Sequence, residues 1–402
     1  MTSKRADGTP ASIRPATRFV SGGRDPSAQH GYVNPPVYHA STLLYRSAED
    51  YLARRGRYQY GRRGTPTSEA LSDAIAALEG PACAGVALLP SGLAACSTAL
   101  MAMLQSGDHL LVTDSVYEPT RIFCDGILRR QGVTTTYYDP LIGDGIAALI
   151  KPNTRAVYLE SPGSLSFEIQ DVPAIAAAAH AHGAVVLMDN TWASPLYFRA
   201  LEHGVDLAIQ SGSKYIGGHS DLMLGTISAN RTTNETIWPR LIKTVYAMGL
   251  CVGPDDMYLG LRGVRTMGVR LTQHYTAGLT VARWLAARPE VLRVLHPALA
   301  SHPGHTIWQR DYTGACGLFS IVLKPVAQAA VYAFIDALTL FGIGASWGGF
   351  ESLVIPFDCT RVRTATQWSP GGPTVRFHIG LEDVDDLTED LERGFAAMAR
   401  AG

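Results

Sequence analysis

A lysine set among small residues is the most chemically suggestive feature of the sequence. Lys214 follows the apolar run Leu207–Gln210 and stands within the stretch Ser211-Gly212-Ser213-Lys214-Tyr215. Lysine is rarely buried without a partner, and partial burial lowers its pKa so that more of the amine is neutral and nucleophilic. Such an amine is suited to forming a Schiff base with a carbonyl compound.

Two other interpretations of Lys214 are open from this stretch alone. It could be a solvated lysine at a strand end, which is the ordinary position for this residue. It could also belong to a serine acyl enzyme, because Ser211 and Lys214 match the pattern S-x-x-K. That pattern requires a helix and the companion triplets S-D-N and K-T-G, neither of which occurs here.

Other polar groups follow predicted strands, and each carries chemistry that a pyridoxal phosphate site needs. They are Ser91-Gly92-Leu93 for the phosphate, Tyr117 for stacking on the ring, Asp189 for the ring nitrogen, and the hydroxyls of Ser211 and Ser213. Taken singly, each has an ordinary explanation as a turn, a core residue or a helix cap. Taken together with Lys214, they predict a pyridoxal phosphate site.

The segments that would position these groups alternate between strands and helices. We predict strands at 84–89, 109–113, 133–138, 156–159, 184–188, 207–210 and 222–228, and helices at 67–79, 93–105, 119–131, 142–151 and 172–182. This alternation predicts an α/β domain over residues 65–260 with a mostly parallel sheet of about seven strands. Ligands of such sheets gather at the carboxyl ends of the strands. The seventh strand follows the lysine turn so closely that we expect it to be antiparallel.

Residues 261–402 predict a smaller α+β domain, which is entered through a long helix at 264–287. Strands are predicted at 318–323 and 375–378, and helices at 327–338 and 383–399. A glycine-rich turn carries Ser346 and Trp347, and Arg376 lies inside an apolar strand. Because a buried arginine needs an anion, we expect Arg376 to bind either a substrate carboxylate or an internal Asp or Glu.

Composition and charge exclude several classes of protein. The 402 residues carry a formal net charge of −1, and the sequence contains no basic stripe. We therefore expect neither a nucleic acid nor an anionic membrane as a partner. The six cysteines are scattered without a C-x-x-C pair, which predicts neither a metal site nor a disulfide framework and favours the cytoplasm. The uncharged stretch 80–107 is divided by Pro90-Ser91-Gly92, so we interpret it as a strand, a turn and a helix rather than a membrane span.

The first 64 residues predict an irregular arm. Its dense basic segment, Arg54 to Gly64, includes Tyr60 and Arg62. This segment could be a solvated arm, or it could supply an anion site, because arginine and tyrosine side chains bind phosphate well.

Several motifs in order resemble the Cys/Met-metabolism pyridoxal-phosphate enzymes of fold type I, from about residue 18 to residue 395. The motifs are Tyr60-Gly-Arg-Arg-Gly-Thr-Pro-Thr67, Met188-Asp-Asn-Thr191, Ser211-Gly-Ser-Lys-Tyr215 with Gly218-His-Ser-Asp221, and Ser346-Trp-Gly-Gly-Phe-Glu-Ser352. The resemblance implies a homotetramer built from two dimers, with pyridoxal 5′-phosphate bonded to Lys214.

The same resemblance implies roles for the other candidate residues. Asp189 would pair with the ring nitrogen and Tyr117 would stack on the ring. The phosphate would be held by the backbone of Ser91, Gly92 and Leu93, by Ser211 and Ser213, and by Tyr60 and Arg62 from a neighbouring subunit. Substrate would contact Tyr60, Tyr117, Ser346, Trp347 and Arg376, and Tyr60 or Tyr117 would assist Lys214 in proton transfer.

Within the family, the motifs resemble those of the cystathionine β-lyases of the enterobacterial type. Tyr117-Glu-Pro119, Glu160-Ser-Pro-Gly-Ser164 and Ser346-Trp347 carry this resemblance, and Ala345 departs from it. The implied activity is β-elimination of L-cystathionine to homocysteine, pyruvate and ammonia, with other cysteine S-conjugates as further substrates. The alternatives are a γ-lyase or γ-synthase of the same family and a non-catalytic homologue on the same fold.

Overall fold

The computed structural model describes residues 14–231 and 235–402. Residues 1–13 of the predicted arm lie outside this part of the chain. The rest of the arm is less irregular than we predicted, because it contains the helices α1 (Pro15–Ser21) and α2 (Ala48–Leu52) and 3₁₀ turns at Ser27–Gln29 and Gly61–Arg63. Both helices begin where the sequence supplies a start signal, which is Pro15 in α1 and a Ser47 side-chain cap in α2.

The predicted α/β architecture with a mostly parallel seven-stranded sheet is confirmed. The strands are β1 (Cys83–Leu89), β2 (His109–Thr113), β3 (Thr134–Tyr138), β4 (Thr154–Glu160), β5 (Val185–Asp189), β6 (Leu207–Ser211) and β7 (Gly225–Asn230). Their order across the sheet is β1-β7-β6-β5-β4-β2-β3. β7 is antiparallel to both of its neighbours, as expected for a strand that follows the lysine turn so closely.

Register places the ends of three parallel strands side by side. Glu160 at the end of β4 pairs with Asp189 at the end of β5, and Asp189 pairs with Ile209 two residues before the end of β6. Ser211 closes β6, and Lys214 comes three residues later. Parallel pairing therefore delivers the two carboxylates and the lysine to one edge of the sheet.

Helices cover both faces of this sheet, and their buried residues divide into two apolar clusters. The helices are α3 (Pro66–Glu79), α4 (Gly92–Met103), α5 (Glu118–Phe123), α6 (Val172–Ala181), α7 (Ser194–Tyr197) and α8 (Ile237–Ala247).

Two helices of the large domain differ in detail from the sequence prediction. The one at 142–151 is a 3₁₀ helix, Gly143–Leu149, because Gly143 takes a positive φ and Gly145 also weakens an α-helix. The one at 119–131 changes to a π-helical turn at Cys124–Leu128.

A smaller sheet of five strands follows. One long helix, α9 (Pro254–Ala286), leads to it, and the further elements are β8 (Val291–Leu295), α10 (His305–Asp311), β9 (Leu318–Leu323), α11 (Gln328–Asp336), β10 (Gly342–Ile343), β11 (Leu353–Phe357), β12 (Thr374–His378) and α12 (Val384–Ala401). The strand order is β10-β11-β12-β9-β8. A third apolar cluster lies between this sheet and helices α9, α11 and α12. Helix α9 crosses the predicted boundary at residue 260.

No helix in the described ranges combines the length and apolarity needed to cross a membrane.

Candidate active site

A cavity of about 440 Å³ opens at the carboxyl edge of the large sheet. Its walls come from both sheets, since Asp189 and Lys214 contribute from one and Arg376 from the other. The cavity also includes Ser91, Gly92, Leu93, Tyr117, Ser211, Ser213, Ser346 and Trp347. The fold thus brings together every candidate residue predicted from the sequence except Tyr60 and Arg62.

Lys214 is half-buried, and its amine meets residues from the smaller sheet region. Nζ lies 2.7 Å from Oγ of Ser346 and 5.3 Å from the ring centroid of Trp347. Partial burial and the charge of Arg376 lower the pKa of Lys214 to about 8, against the opposing effect of Asp189. A substantial fraction of the amine is therefore neutral near physiological pH, which makes it a nucleophile and a base.

Asp189 is held at one of its two carboxylate oxygens. Thr191 donates to Oδ1 through its backbone N–H at 3.0 Å and its hydroxyl at 2.5 Å, while the hydroxyl oxygen accepts the N–H of Ser211 at 2.9 Å. Among the described residues, the thiol of Cys96, at 3.7 Å, is the only donor to Oδ2, and it is a weak one. Partial burial raises the pKa of Asp189, so the carboxylate gains from a cationic partner in the cavity.

The first turn of α4 offers an anion-binding cradle. The side chain of Ser91 accepts the N–H of Ala94 at 3.1 Å, and the N–H groups of Gly92 and Leu93 stand in the turn where no intrahelical acceptor exists. Gly92 must lack a side chain, because a Cβ there would lie 2.5 Å from Oγ of Ser211. The Ser211 hydroxyl therefore adjoins the start of α4, and Ser213 lines the same cavity.

Tyr117 stands at the start of α5, is 44% exposed and lines the cavity. Its backbone N–H donates to Oε2 of Glu160 at 2.7 Å. Partial burial and the charge of Asp189 raise the pKa of Glu160 well above its usual range, which favours the neutral acid. The two residues connect the end of β4 to the beginning of α5.

Arg376 is 8% exposed and faces the cavity from β12. Its Nη2 donates to the carbonyl of Ser346 at 3.1 Å and more weakly to that of Gly344 at 3.4 Å. Its Nε is buried and has no hydrogen-bond partner in the part of the chain that the structure describes. Within the described ranges no carboxylate forms an ion pair with Arg376. The internal ion pair that we considered as an alternative is therefore not formed there, and the guanidinium remains able to bind an anion.

Tyr60 and Arg62 lie elsewhere in the single chain. The hydroxyl of Tyr60 is 3.2 Å from Oγ of Ser41, and Arg62 donates to the carbonyl of Tyr246 at 2.9 Å. Both residues line a second cavity near the start of α9.

Sequence reasoning assigned no role to Thr191 or Glu160, although both stand in motifs quoted above. The signal for Thr191 was available, because a hydroxyl residue two positions after Asp commonly donates to its carboxylate. Glu160 could have been found only from the register of β4 and β5, which the sequence does not contain.

The family model described as Cys/Met metabolism PLP-dependent enzyme matches residues 16–396. The chain belongs to this family. Its fold is accordingly the fold type I of these pyridoxal phosphate enzymes, and its cofactor is pyridoxal 5′-phosphate.

Individual members of the family are similar over nearly the whole chain. A Rhizobium johnstonii protein provisionally named a cystathionine beta-lyase is 52% identical over 387 residues, which is 95% of this chain and 96% of its own. The cystathionine beta-lyase of Salmonella typhimurium is 45% identical, with 95% and 98% of the two chains covered. The solved structure of cystathionine gamma-lyase from Lactobacillus plantarum, complexed with L-serine, matches with a TM-score of 0.88 at 29% identity and covers 96% of this chain and 100% of that one.

The cavity fits the cofactor of this family. A phosphate suits the free N–H groups at the start of α4, a pyridinium N–H suits Oδ2 of Asp189, and an aldehyde suits the partly neutral amine of Lys214. Among the described residues, no group of three or more His, Cys, Asp or Glu side chains is arranged to hold a metal ion.

Proposed function

We propose that the protein is a cystathionine β-lyase, which cleaves L-cystathionine with water to homocysteine, pyruvate and ammonia. The single observation that carries the choice of site is that Lys214, Asp189 and Arg376 line one cavity. Oδ2 of Asp189 has only a weak thiol donor and Nε of Arg376 has no partner among the described residues, so both side chains keep hydrogen-bonding capacity. The names of the relatives from Rhizobium and Salmonella support the choice of substrate.

In this proposal Lys214 holds the cofactor's aldehyde, and Asp189 holds its ring nitrogen with Thr191 fixing the carboxylate. The first turn of α4 together with Ser211 and Ser213 holds the phosphate, and Tyr117 stacks on the ring. Pyridoxal phosphate, once bound, supplies an electron sink conjugated to the substrate's amine.

The chain's own residues bind the substrate and move its protons. Arg376 receives the α-carboxylate in its bidentate fork and thereby fixes the orientation of Cα. Lys214, as the neutral amine, takes the proton from Cα, and as the ammonium it gives a proton to the departing sulfur when the Cβ–S bond breaks. Ser346 accepts a hydrogen bond from Nζ and so fixes the amine near Cα. Tyr117 assists proton transfer from the substrate's amine, and Trp347 closes the cavity beside Lys214.

The experiment that tests this function is product identification with purified, cofactor-loaded protein and L-cystathionine. Pyruvate and homocysteine in equal amounts support β-elimination. 2-Oxobutyrate and cysteine would instead place the protein with the γ-lyases. A bound chromophore with neither product pair would keep the cofactor site and reject the substrate, as for a non-catalytic homologue. S-alkyl cysteines, assayed for pyruvate in parallel, measure the breadth of cysteine S-conjugates that the enzyme accepts.

We also propose that the protein is a homotetramer of two dimers, in which Tyr60 and Arg62 of one subunit reach the cavity of its neighbour. Support comes from their position away from Lys214 in the single chain and from the exposure of apolar arm residues such as Leu44, at 94%, and Leu52, at 80%. Mixing inactive Lys214→Ala subunits with inactive Arg62→Ala subunits should restore activity, since hybrid dimers then contain one intact cavity. Failure of exchanged subunits to recover any activity would reject shared sites.

Two further assignments belong to this proposal. We divide the chain into an arm at 1–64, a cofactor domain at 65–260 and a C-terminal domain at 261–402, with α9 joining the last two. We place the enzyme in the cytoplasm, because all six cysteines are free thiols, as is usual in a reducing compartment.

A further inference from the structure

We infer that His378 is a positioning residue, which holds the turn that carries Ser346 against Lys214. His378 is the last residue of β12 and has no exposed surface. Its Nε2 lies 3.1 Å from the backbone nitrogen of Gly348 and 3.2 Å from the carbonyl oxygen of Gly349. An unprotonated Nε2 accepts the Gly348 N–H, and a protonated one donates to the Gly349 carbonyl, so either neutral tautomer ties the ring to the same two residues.

The turn from Gly344 to Gly349 depends on side chains for its position. Backbone bonds anchor its flanks, from Gly342 to the Ser352 carbonyl and from Leu381 to the Phe350 carbonyl. Between these anchors, the described bonds to the turn's backbone come from Arg376 and His378.

Arg376 and His378 are two residues apart on one strand, so both project from the same face of β12. Arg376 reaches the Ser346 carbonyl at 3.1 Å, and His378 reaches the two glycines that follow. One strand therefore clamps the turn at both ends of Trp347. Arg376 lines the cavity, whereas His378 is fully buried and does not line it. The hydrogen bonds of His378 therefore do not compete with a bound substrate.

The clamp acts at a close contact between the turn and the lysine. Gly348 has a φ of +86°, and a Cβ built on it would lie 3.0 Å from both Cα and the carbonyl carbon of Lys214. The backbone of the turn thus rests directly on the backbone of Lys214, while Ser346 accepts a hydrogen bond from Nζ. A shift of Gly348 moves Ser346 and Trp347 together relative to the amine.

His378 also belongs to a cluster of buried rings beneath Lys214. Its ring centroid is 5.2 Å from that of His274 and 6.3 Å from that of Tyr215, the residue that follows Lys214. Burial, together with the charges of Arg376 and Lys214 and the neighbouring His274, lowers the pKa of His378 well below its usual value. The ring is therefore neutral, and its Nε2 either accepts the Gly348 N–H or donates to the Gly349 carbonyl, depending on the tautomer.

Two amide variants separate the hydrogen bonds of His378 from its bulk. In His378→Gln the amide lies at the level of Nε2, so its oxygen accepts from Gly348 and its nitrogen donates to Gly349. In His378→Asn the amide ends one atom short, at the level of Nδ1. His296→Gln is the matched control, because His296 is also a fully buried imidazole but lies outside the cavity.

The measurements are the pH midpoint of the bound cofactor's visible absorption band, and kcat and KM for L-cystathionine. We expect His378→Asn to shift the midpoint by about 0.5 pH unit or more and to lower kcat about 10-fold or more with a smaller change in KM, since Lys214 loses its fixed partner. We expect His378→Gln and His296→Gln to match the wild type in the pH midpoint and in the kinetic constants. In a Ser346→Ala background, His378→Asn should add no further shift in the midpoint.

The inference rests on the proposed role of Lys214, and the two fail in different ways. Absence of the visible band from the wild-type protein would reject the cofactor role of Lys214 itself. A normal band with an unchanged midpoint in folded His378→Asn would reject the role of His378 alone. Loss of function or of folding in His378→Gln would also reject it, because the shape of the ring rather than its ε nitrogen would then be the requirement. The Gln variant therefore decides the question even where the Asn variant does not fold.

Discussion

Nζ of Lys214 lies 2.7 Å from Oγ of Ser346, a residue 132 positions further along the chain. The amine stands at the edge of the large sheet, whereas the hydroxyl belongs to a turn clamped by the small one. The Lys214 amine and its hydrogen-bond partner are thus held by different sheets, so the relative position of the two sheets sets the distance between them.

Replacing Lys214, the proposed nucleophile, should abolish turnover without unfolding the protein. We expect Lys214→Ala to lower kcat at least about 1,000-fold, because it removes the group that holds the cofactor and moves the Cα proton. Pyruvate formation from L-cystathionine measures the loss, and circular dichroism checks the fold. Lys151→Ala, which changes an exposed lysine outside the cavity, should be indistinguishable from the wild type. Near-normal turnover of Lys214→Ala would overturn the site.

Removing the fork of Arg376 should weaken substrate binding more than it slows turnover. We expect Arg376→Lys to raise KM for L-cystathionine about 10- to 100-fold, because an ammonium cannot form the bidentate pair with a carboxylate. A substrate analogue that lacks the α-carboxylate supplies the control. The loss of kcat/KM should be smaller with that analogue, which is affected only by the lost hydrogen bond from Arg376 to the Ser346 carbonyl. An equal loss with both substrates would show that Arg376 acts through the turn alone.

Glu160 should behave as a neutral acid. Partial burial and the Asp189 charge raise its pKa, so above pH 4.5 the unfolded chain releases this proton while the folded protein retains it, and stability falls as pH rises. Gln keeps an acceptor for the Tyr117 N–H and does not titrate. We therefore expect the free energy of unfolding of Glu160→Gln, relative to the wild type, to increase from pH 4 to pH 7. Urea unfolding at both values measures it, and a decrease would contradict the raised pKa.

Asp114 should stabilise the packing of the 364–366 loop against the large sheet. Its side chain is fully buried, and it accepts hydrogen bonds from Arg121 at 2.7 Å and from Thr364 and Thr366. Burial acts to raise its pKa, but the bonds from Thr364, Thr366 and Arg121 outweigh burial and lower it. Its contribution to stability is thus complete above pH of about 4 and is lost as pH falls below 3.8 through the folded-state pKa.

Removing this carboxylate should therefore be costly at neutral pH. We expect Asp114→Ala to lower the free energy of unfolding by about 3 to 5 kcal/mol, because it leaves the buried Arg121 unpaired. Asp139→Ala is the control, since Asp139 is exposed. Denaturant unfolding at pH 7 and at pH 3 measures both variants. The deficit of Asp114→Ala should shrink at pH 3, and a deficit that is the same at both values would contradict the lowered pKa.

Local patterns were sufficient for much of the fold. Strand β2 of the large sheet and strand β9 of the small sheet were predicted with their observed bounds, because each is a short apolar run between clear breaks. The start of α9 was placed ten residues late. Its first turns contain Gly260 and Gly263, and glycine lowers the helix propensity of a local segment. In the structure both glycines allow close packing, since a Cβ built on Gly263 would lie 2.2 Å from the carbonyl oxygen of Ile216.

The sequence by itself determined which chemical groups stand at the ends of strands. Lys214 and Asp189 were predicted from their position after apolar runs, because a parallel sheet sends the end of each such run to one edge. Tertiary structure decided what each group meets there. Glu160 comes beside Asp189 only through strand register, and Ser346 reaches Lys214 only because His378 and Arg376 hold a distant turn. Such contacts depend on packing between elements far apart in the chain, which no local pattern of residues encodes.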